Sequence, residues 1–291
     1  MLSYNSVLKQ IYDLQEFSIK LGLDNIHALA DYLNNPQKTY PVIHIAGTNG
    51  KGSTAYFLSR ILIACGFRTG LYTSPHLMDY RERIRIDNQL IEKEYIADYW
   101  KIVKSLVLNR KATFFDTTTA LAFDYFRHKN VDVAVVETGL GGRLDSTNIV
   151  EPETVVITPV NYDHEKQLGT DLKSIAKEKA GIIKPGCDVI SSGQEQVVLD
   201  IIKNHLKDSN KFYYLKYHIN YDILESNLNG SIFTLKDTIH GLTFPGLKTP
   251  QIGDFQVANI ALAYFVARLF SKKRSKTIDQ NILTRVLEKE T

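Results

Sequence analysis

The sequence predicts an α/β fold: a mostly parallel sheet covered by helices on both faces, with a small antiparallel meander attached. Three observations lead there. Apolar runs of strand length alternate with helical patterns along most of the chain, which makes repeated βα units. The stretch HIAGTNGKGSTAYFLSRIL, residues 44–62, passes from a β-branched run through a glycine turn into a helix. Alternation with an Asn-Gly turn signal is confined to residues 211–245, which read as accessory antiparallel strands. In order, the strand segments are 41–46 (PVIHIA), 69–74 (TGLYTS), 131–138 (VDVAVVET), 154–160 (TVVITPV) and 187–192 (CDVISS). Helices are expected near 53–65, 92–108, 117–128 and 171–183, with one more over 253–270. Residues 1–35 read as two helices ahead of the first strand, and a charged tail runs to Thr291.

Composition narrows the function. With 291 residues and 44% apolar content the chain buries a large core. Its 35 basic and 32 acidic residues give a formal charge of +3 without a basic block, so nucleic acid is not an expected partner, whereas anionic small molecules are compatible. Cys65 and Cys187 are too few for a disulfide framework and lack metal-ligand spacing. The apolar runs fall short of a membrane span, and the N-terminus lacks the apolar stretch of a signal peptide. The cytoplasm is the expected compartment.

The glycine stretch carries the chemistry. A strand, a glycine turn and a helix N-terminus gather N–H groups and the positive end of a dipole around one point, which is how proteins cradle phosphate. Lys51 has no obvious structural task beside three glycines, although a tight βα turn alone is the plainer reading. The pattern departs from the usual phosphate loop, in which Ser or Thr follows the lysine; here Gly52 follows Lys51 and the hydroxyl arrives at Ser53. His44, inside the preceding strand, reads as a packed core histidine.

Two other strand ends carry candidate ligands, and open parallel sheets bind ligands outside the carboxyl ends of their strands. The first run stays apolar until Glu137, which is either a Mg²⁺ ligand or an acid capping the next turn. The second ends in Asp163 and His164, the histidine suited to a metal or to a hydrogen bond. In the helix over 171–183, Leu172, Ile175, Ala176, Ala180 and Ile183 form an apolar stripe, and Lys179 lies in its middle. Such a lysine either snorkels outward or is a desolvated amine of lowered pKa, able to take up CO₂ as a carbamate.

Together these residues resemble the Mur ligase superfamily, and more closely its folate branch, the folylpolyglutamate synthase and dihydrofolate synthase enzymes. The matching segments are HIAGTNGKGST, YTSPHL followed by ERIRI, TFFDTTTALAFDYF, ETGLGGRLDSTN, DHEKQLGTDLKSIAKEKAGIIK and GDFQVANIALA, covering about residues 40–270. The extra glycine after Lys51 is the form this branch uses. The resemblance implies a fold of the Mur ligase central-domain type and a reaction in which ATP phosphorylates a dihydropteroate or folate carboxylate and L-glutamate displaces the phosphate. It implies that Gly47, Thr48, Asn49, Gly50, Lys51, Gly52 and Ser53 hold the phosphates and that Asn259 contacts adenine. Ser53, Ser74 and Glu137 would serve a first Mg²⁺, and Glu137 with His164 a second. The carbamylated lysine falls on Lys179, so Lys51, Lys179 and His164 are the expected catalytic residues. His76, Arg83, Phe114, Phe115 and Asp145 fall on the substrate side. A monomer is expected.

Departures are visible too. Phe255 stands where relatives usually carry histidine, Asp116 where they often carry glutamate, and the Asp–Thr order after Gly169 is reversed. The family's second α/β domain, with its Asp-Gly-Ala-His-Asn motif, has no counterpart before Thr291, so residues 1–291 are expected to bind nucleotide weakly and not to ligate alone. A cell-wall Mur ligase, a P-loop kinase and a non-catalytic nucleotide-binding module are the competing readings. The first would lack TSPHL and ERIRI in this form, and the second would need neither Lys179 nor His164.

Overall fold

In chain order the helices are α1 (Tyr4–Asp13), α2 (Asp24–Tyr32), α3 (Lys51–Ala64), α4 (Lys93–Arg110), α5 (Phe114–His128), α6 (Leu172–Ala180), α7 (Gln196–His205), α8 (Asp254–Lys272) and α9 (Gln280–Glu288). The strands are β1 (Val42–Ala46), β2 (Thr69–Tyr72), β3 (Ile84–Ile86), β4 (Gln89–Leu90), β5 (Val133–Glu137), β6 (Thr154–Ile157), β7 (Asp188–Ser191), β8 (Lys211–Tyr214), β9 (Ile219–Asn227), β10 (Gly230–Asp237) and β11 (Leu242–Thr249). The structure, a computed structural model, describes residues 3–16, 22–163 and 168–288. The larger sheet runs β4-β3-β2-β5-β1-β6-β7-β8, and β9 to β11 form a separate antiparallel sheet. From β2 to β8 every pairing is parallel, and β3 and β4 close one edge antiparallel.

The central strands are buried on both faces because their residues alternate between two cores. Ile43, Ile45, Val133, Val135, Val156 and Ile190 face one core with α3, α8, α9 and the antiparallel sheet. Val42, Ala134 and Val136 face the opposite side with α1, α2, α4 and α5. Val155, Ile157 and Val189 continue that side against α6 and α7. Glu137, in phase with Val133 and Val135, therefore points to the α3 face, while His44 points to the other.

The sequence reading holds for the sheet and needs correction at its margins. Residues 211–214 belong to the parallel sheet as β8, paired with β7, so the antiparallel sheet begins at Ile219 and ends at Thr249. Part-exposed Phe212, Tyr213 and Tyr214 on a sheet edge imitate the texture of a meander. The charged tail contains α9, whose Leu283, Val286 and Leu287 are buried. α5 starts at Phe114 rather than 117 because Thr113 and Asp116 form a capping box: the Thr113 side chain accepts from Asp116 N–H (3.0 Å), and the Asp116 carboxylate accepts from Thr113 N–H (3.0 Å). No described helix is long and apolar enough to cross a membrane. Cys65 and Cys187 are free thiols.

His44 is fully buried, and its Nε2 meets Thr147 Oγ1 at 2.8 Å. Thr147 Oγ1 donates to Asp145, so it accepts from His44 Nε2–H. Burial, with the Lys184 charge second, lowers the His44 pKa from 6.5 to about 3. The folded chain thus resists a proton that the unfolded chain takes up, and stability falls as pH drops from 6.5 towards 3. Between pH 7 and pH 4 this contributes a loss on the order of 3 kcal/mol. Urea titrations of His44→Gln across that interval should show a correspondingly smaller loss than the native chain; equal losses would contradict the assignment.

Candidate active site

β1 ends at Ala46 and the chain enters the glycine loop. Gly47 has φ +151° and lies so close to Thr158 that a side chain would collide with the threonine hydroxyl. Gly50, at φ +80°, is the N-cap of α3, and its open side is filled by Asn259 Oδ1. The loop is strapped to the segment after β6. Thr48 N–H and Asn49 N–H both donate to the Pro159 carbonyl (2.9 and 3.2 Å), while the Thr48 hydroxyl donates to Asn161 O (3.0 Å) and accepts from Asn161 N–H (3.1 Å). With those two amides engaged, an anion is offered the first-turn N–H groups of α3, at Lys51, Gly52 and Ser53, which have no partner within the helix.

Two lysines converge on one oxygen. Lys51 Nζ curls back to the carbonyls of Gly47 (3.1 Å) and Thr48 (3.2 Å), and Lys179 Nζ reaches the same Gly47 carbonyl at 2.8 Å. Lys179 is 2% exposed, whereas Lys173 and Lys177 on the same helix are exposed. Burial, then the Lys51 charge, lowers the Lys179 pKa to about 8.

Glu137 ends β5 and is 4% exposed. Its Oε2 accepts from Ser74 N–H at 3.1 Å, and both carboxylate oxygens lie beside Gly52, 3.6 and 3.8 Å from where a Cβ would stand. The glycine after Lys51 thereby gets a physical reason: a longer side chain would stand between the helix N-terminus and the carboxylate. Burial pushes the Glu137 carboxyl up to about 7, against the opposing pull of Lys51 and the Ser74 N–H. Gly52, Ser74 and Glu137 line a cavity of about 230 Å³. Ser53 lines a larger one, of about 880 Å³, with Asn49, Gly50 and Asn259. His164 lies outside the described residues.

The Mur ligase middle domain family matches residues 45–267, more than half of the chain. The folylpolyglutamate synthase of Lacticaseibacillus casei is 33% identical over 281 residues, covering 94% of this chain and 65% of that protein. The Mycobacterium tuberculosis folylpolyglutamate synthase complexed with ADP and AMPPCP superposes with a TM-score of 0.85 at 31% identity, over 99% of this chain and 67% of that one. An FPGS-AMPPCP-folate complex gives 0.88 at 32% identity, over 98% and 71%. The chain belongs to the Mur ligase family, in its folylpolyglutamate and dihydrofolate synthase branch. It spans just under two thirds of the L. casei relative.

In this Mur ligase domain a second cluster lies off the carboxyl end of β2. Arg83, 8% exposed, donates Nε–H to His76 Nδ1 at 2.7 Å, and its guanidinium stands 5.1 Å above the Phe114 ring. With Nδ1 accepting, His76 carries its proton on Nε2 and meets Tyr12 OH at 3.1 Å. Burial first, then Arg83, lowers the His76 pKa. Tyr12 stacks on Phe114 at 5.8 Å, and Tyr80 stands edge-on to both. His76, Arg83 and Phe114 therefore form one cluster, while Phe115 sits apart with its ring against Gly139.

Asp145 is committed elsewhere. Its carboxylate accepts from the N–H groups of Gly139 (2.9 Å), Leu140 (2.8 Å) and Thr147 (3.0 Å), closing the loop after Glu137. Burial raises its pKa against those bonds. Tyr12 and Tyr80 were not signalled by any spacing. Nor was Gln194, whose amide joins the loops after β6 and β7 by donating to Thr158 O (2.9 Å) and accepting from Val160 N–H (3.0 Å).

Proposed function

We propose that this chain supplies the nucleotide and acceptor sites of an ATP-dependent ligase joining L-glutamate to the carboxylate of dihydropteroate or a reduced folate. The observation that carries the reading is the approach of buried Glu137 to the N-terminus of α3, beside Lys51 and Ser74. The relatives, a folylpolyglutamate synthase and an FPGS-AMPPCP-folate complex among them, supply the substrate class. Among the described residues no group of three or more His, Cys, Asp or Glu could hold a metal. A buried carboxylate beside a helix N-terminus and the Ser74 N–H suits Mg²⁺, which keeps waters and phosphate oxygens in its shell instead of an all-protein cage. Ser53, Ser74 and Glu137 would hold one ion, and Glu137 with His164 a second. Magnesium bound there would neutralise the phosphate oxygens.

The remaining chemistry belongs to the chain. Gly47 to Ser53 position the triphosphate, and Lys51, released from the Gly47 and Thr48 carbonyls, offers its charge to the γ-phosphate. An acceptor carboxylate oxygen attacks the γ-phosphorus, the bond to ADP breaks, and an acyl phosphate forms. The glutamate amine then attacks the acyl carbon, phosphate leaves, and the amine gives up a proton. No protein nucleophile is needed, so positioning accounts for most of the catalysis. Lys179 carries a carbamate, its lowered pKa providing the neutral amine that CO₂ requires. Asn259 lies at the base end, with Oδ1 on Gly50 and Nδ2 donating to Gln256 at 3.1 Å. His76, Arg83 and Phe114 face the acceptor. A monomer in the cytoplasm suffices, since one chain brings every group named.

ADP release measured with magnesium, ATP and either dihydropteroate or tetrahydrofolate tests this. ADP should appear only when an acceptor is present and should disappear in Lys51→Ala. Release indifferent to both acceptors would refute the assignment.

A further inference from the structure

The 230 Å³ cavity beside Glu137 holds a cation as well as a carboxylate. α3 supplies Gly52 and, one turn on, Tyr56; Ser74 and Glu137 come from the carboxyl ends of β2 and β5, and Arg85 from β3. Strand phase puts Arg85 there. Ile84 and Ile86 belong to the core with α4 and α5, so Arg85 between them points to the other face of the sheet, paired with Leu71 of the α3 core. Half-buried, it donates Nε–H to Glu82 O at 3.3 Å, and its Nη groups have no hydrogen-bond partner among the described residues. Glu82, which feels the Arg85 charge, accepts instead from the N–H groups of Leu77 (2.9 Å), Met78 (3.1 Å) and Asp79 (2.7 Å). An arginine held by its stem on an apolar sheet face, with the forked end of its guanidinium free beside a cavity, is a ready ligand for an oxyanion, which it can meet with two parallel N–H bonds.

We infer that this cavity is an oxyanion subsite in which Arg85 binds the phosphoryl group once it has left ADP, first as the acyl phosphate and then as inorganic phosphate. The inference rests on the proposed nucleotide site. Gly52 lines the smaller cavity and Ser53 the larger one, so the two cavities reach the first turn of α3 from two sides, and a terminal phosphate bound at that turn borders both. The smaller one falls below the roughly 300 Å³ at which drug-sized ligands are bound, which suits a phosphate with a few waters and not a base or a pteridine. Arg85 makes and breaks no covalent bond. Its charge meets the oxygens that travel with the phosphorus, where phosphoryl transfer concentrates negative charge. Glu137 opposes an anion in the same space, so phosphate should bind only when magnesium is present.

The test is calorimetric titration of inorganic phosphate into the purified 291-residue chain with magnesium and saturating ADP, after ADP binding has been measured alone. Arg85→Met keeps an apolar stem against Leu71 and removes the charge; it should weaken phosphate by roughly tenfold or more and leave the ADP affinity unchanged. Arg85→Lys should recover part of the loss, since lysine offers a point charge without the fork, and it separates loss of the ligand from damage to β3. Equal phosphate affinity in the native chain and Arg85→Met would overturn the inference, as would an equal loss of ADP affinity or a native chain that binds ADP and no phosphate. If the native chain does not bind ADP, the proposed nucleotide site itself fails.

Discussion

Replacing Glu137 with glutamine should abolish the strengthening of ATP binding by magnesium and lower acceptor-dependent ADP release by at least about a hundredfold. The substitution keeps the shape of the side chain and its acceptor for Ser74 N–H, and removes only the charge. That charge is expensive in the empty protein. Burial raises the Glu137 pKa from 4.5 to about 7, so above pH 7 the fold carries an ionised carboxylate that the unfolded chain would solvate better. The sign follows from linkage: the native state binds the extra proton between pH 4.5 and 7, and stability falls as pH rises through that window. Glu137→Gln should therefore melt at a higher temperature than the native chain at pH 8 while losing its response to magnesium. A stabilised but inactive variant is the signature of a carboxylate retained for ligand binding. A variant that loses stability and keeps its magnesium response would mark Glu137 as a structural acid.

Lys179→Ala should reduce ADP release by roughly a hundred- to a thousandfold with little loss of fold. The side chain is buried on the apolar face of α6 with Leu172, Ile175, Ala176 and Ala180, and it donates to a carbonyl that Lys51 also serves. Removing it leaves Gly47 O with a donor and takes a poorly solvated amine out of the core. A pKa of about 8 leaves roughly a tenth of Lys179 neutral at pH 7, enough for uptake of CO₂. Short carboxylates such as acetate or propionate should restore part of the activity of Lys179→Ala by replacing the lost anion. NMR after addition of ¹³C-bicarbonate should show a carbamate carbon in the native chain and none in the variant. Full activity in Lys179→Ala would exclude any catalytic part for this lysine.

Much of this site is legible in the sequence because it follows from periodicity. Lys179 stands out since the stripe around it is apolar at helical spacing and the fold honours the stripe, burying Lys179 while Lys173 and Lys177 remain in solvent. Glu137 stands out as the first charge after an apolar strand, and a strand phase of two carries it to the α3 face. The strands β1, β2, β5, β6 and β7 all fall inside their expected segments. Short or edge elements are harder: β3 and β4 span three and two residues, too few to show a period, β8 reads as a strand of the meander although it pairs in the parallel sheet, and α7 falls outside the expected helices.

Roles that depend on chain crossing are not legible at all. Asp145 and Glu137 are both acids following the same strand, yet Asp145 turns into its own loop to accept three N–H groups while Glu137 faces the helix N-terminus. No spacing distinguishes them. Likewise, that the Thr48 and Asn49 amides bind Pro159, and not an anion, depends on where β6 passes relative to β1. Asp116 in place of glutamate has a local account, since it caps α5 through Thr113 and accepts from Ser146 Oγ at 2.6 Å. The reversed Asp–Thr order after Gly169 puts Asp171 at the N-cap of α6, where its carboxylate accepts from Ser174 N–H at 2.9 Å and from Ser174 Oγ–H at 2.8 Å.

The central claim is that this site activates a pteroyl carboxylate by phosphorylation, and trapping the product tests it most directly. Hydroxylamine converts an acyl phosphate to a hydroxamate without needing a glutamate site. With magnesium, ATP, hydroxylamine and dihydropteroate or tetrahydrofolate, the chain should yield the corresponding hydroxamate by mass, one for each ADP released, and none in Lys51→Ala. ATP binding without hydroxamate from either acceptor would contradict the account.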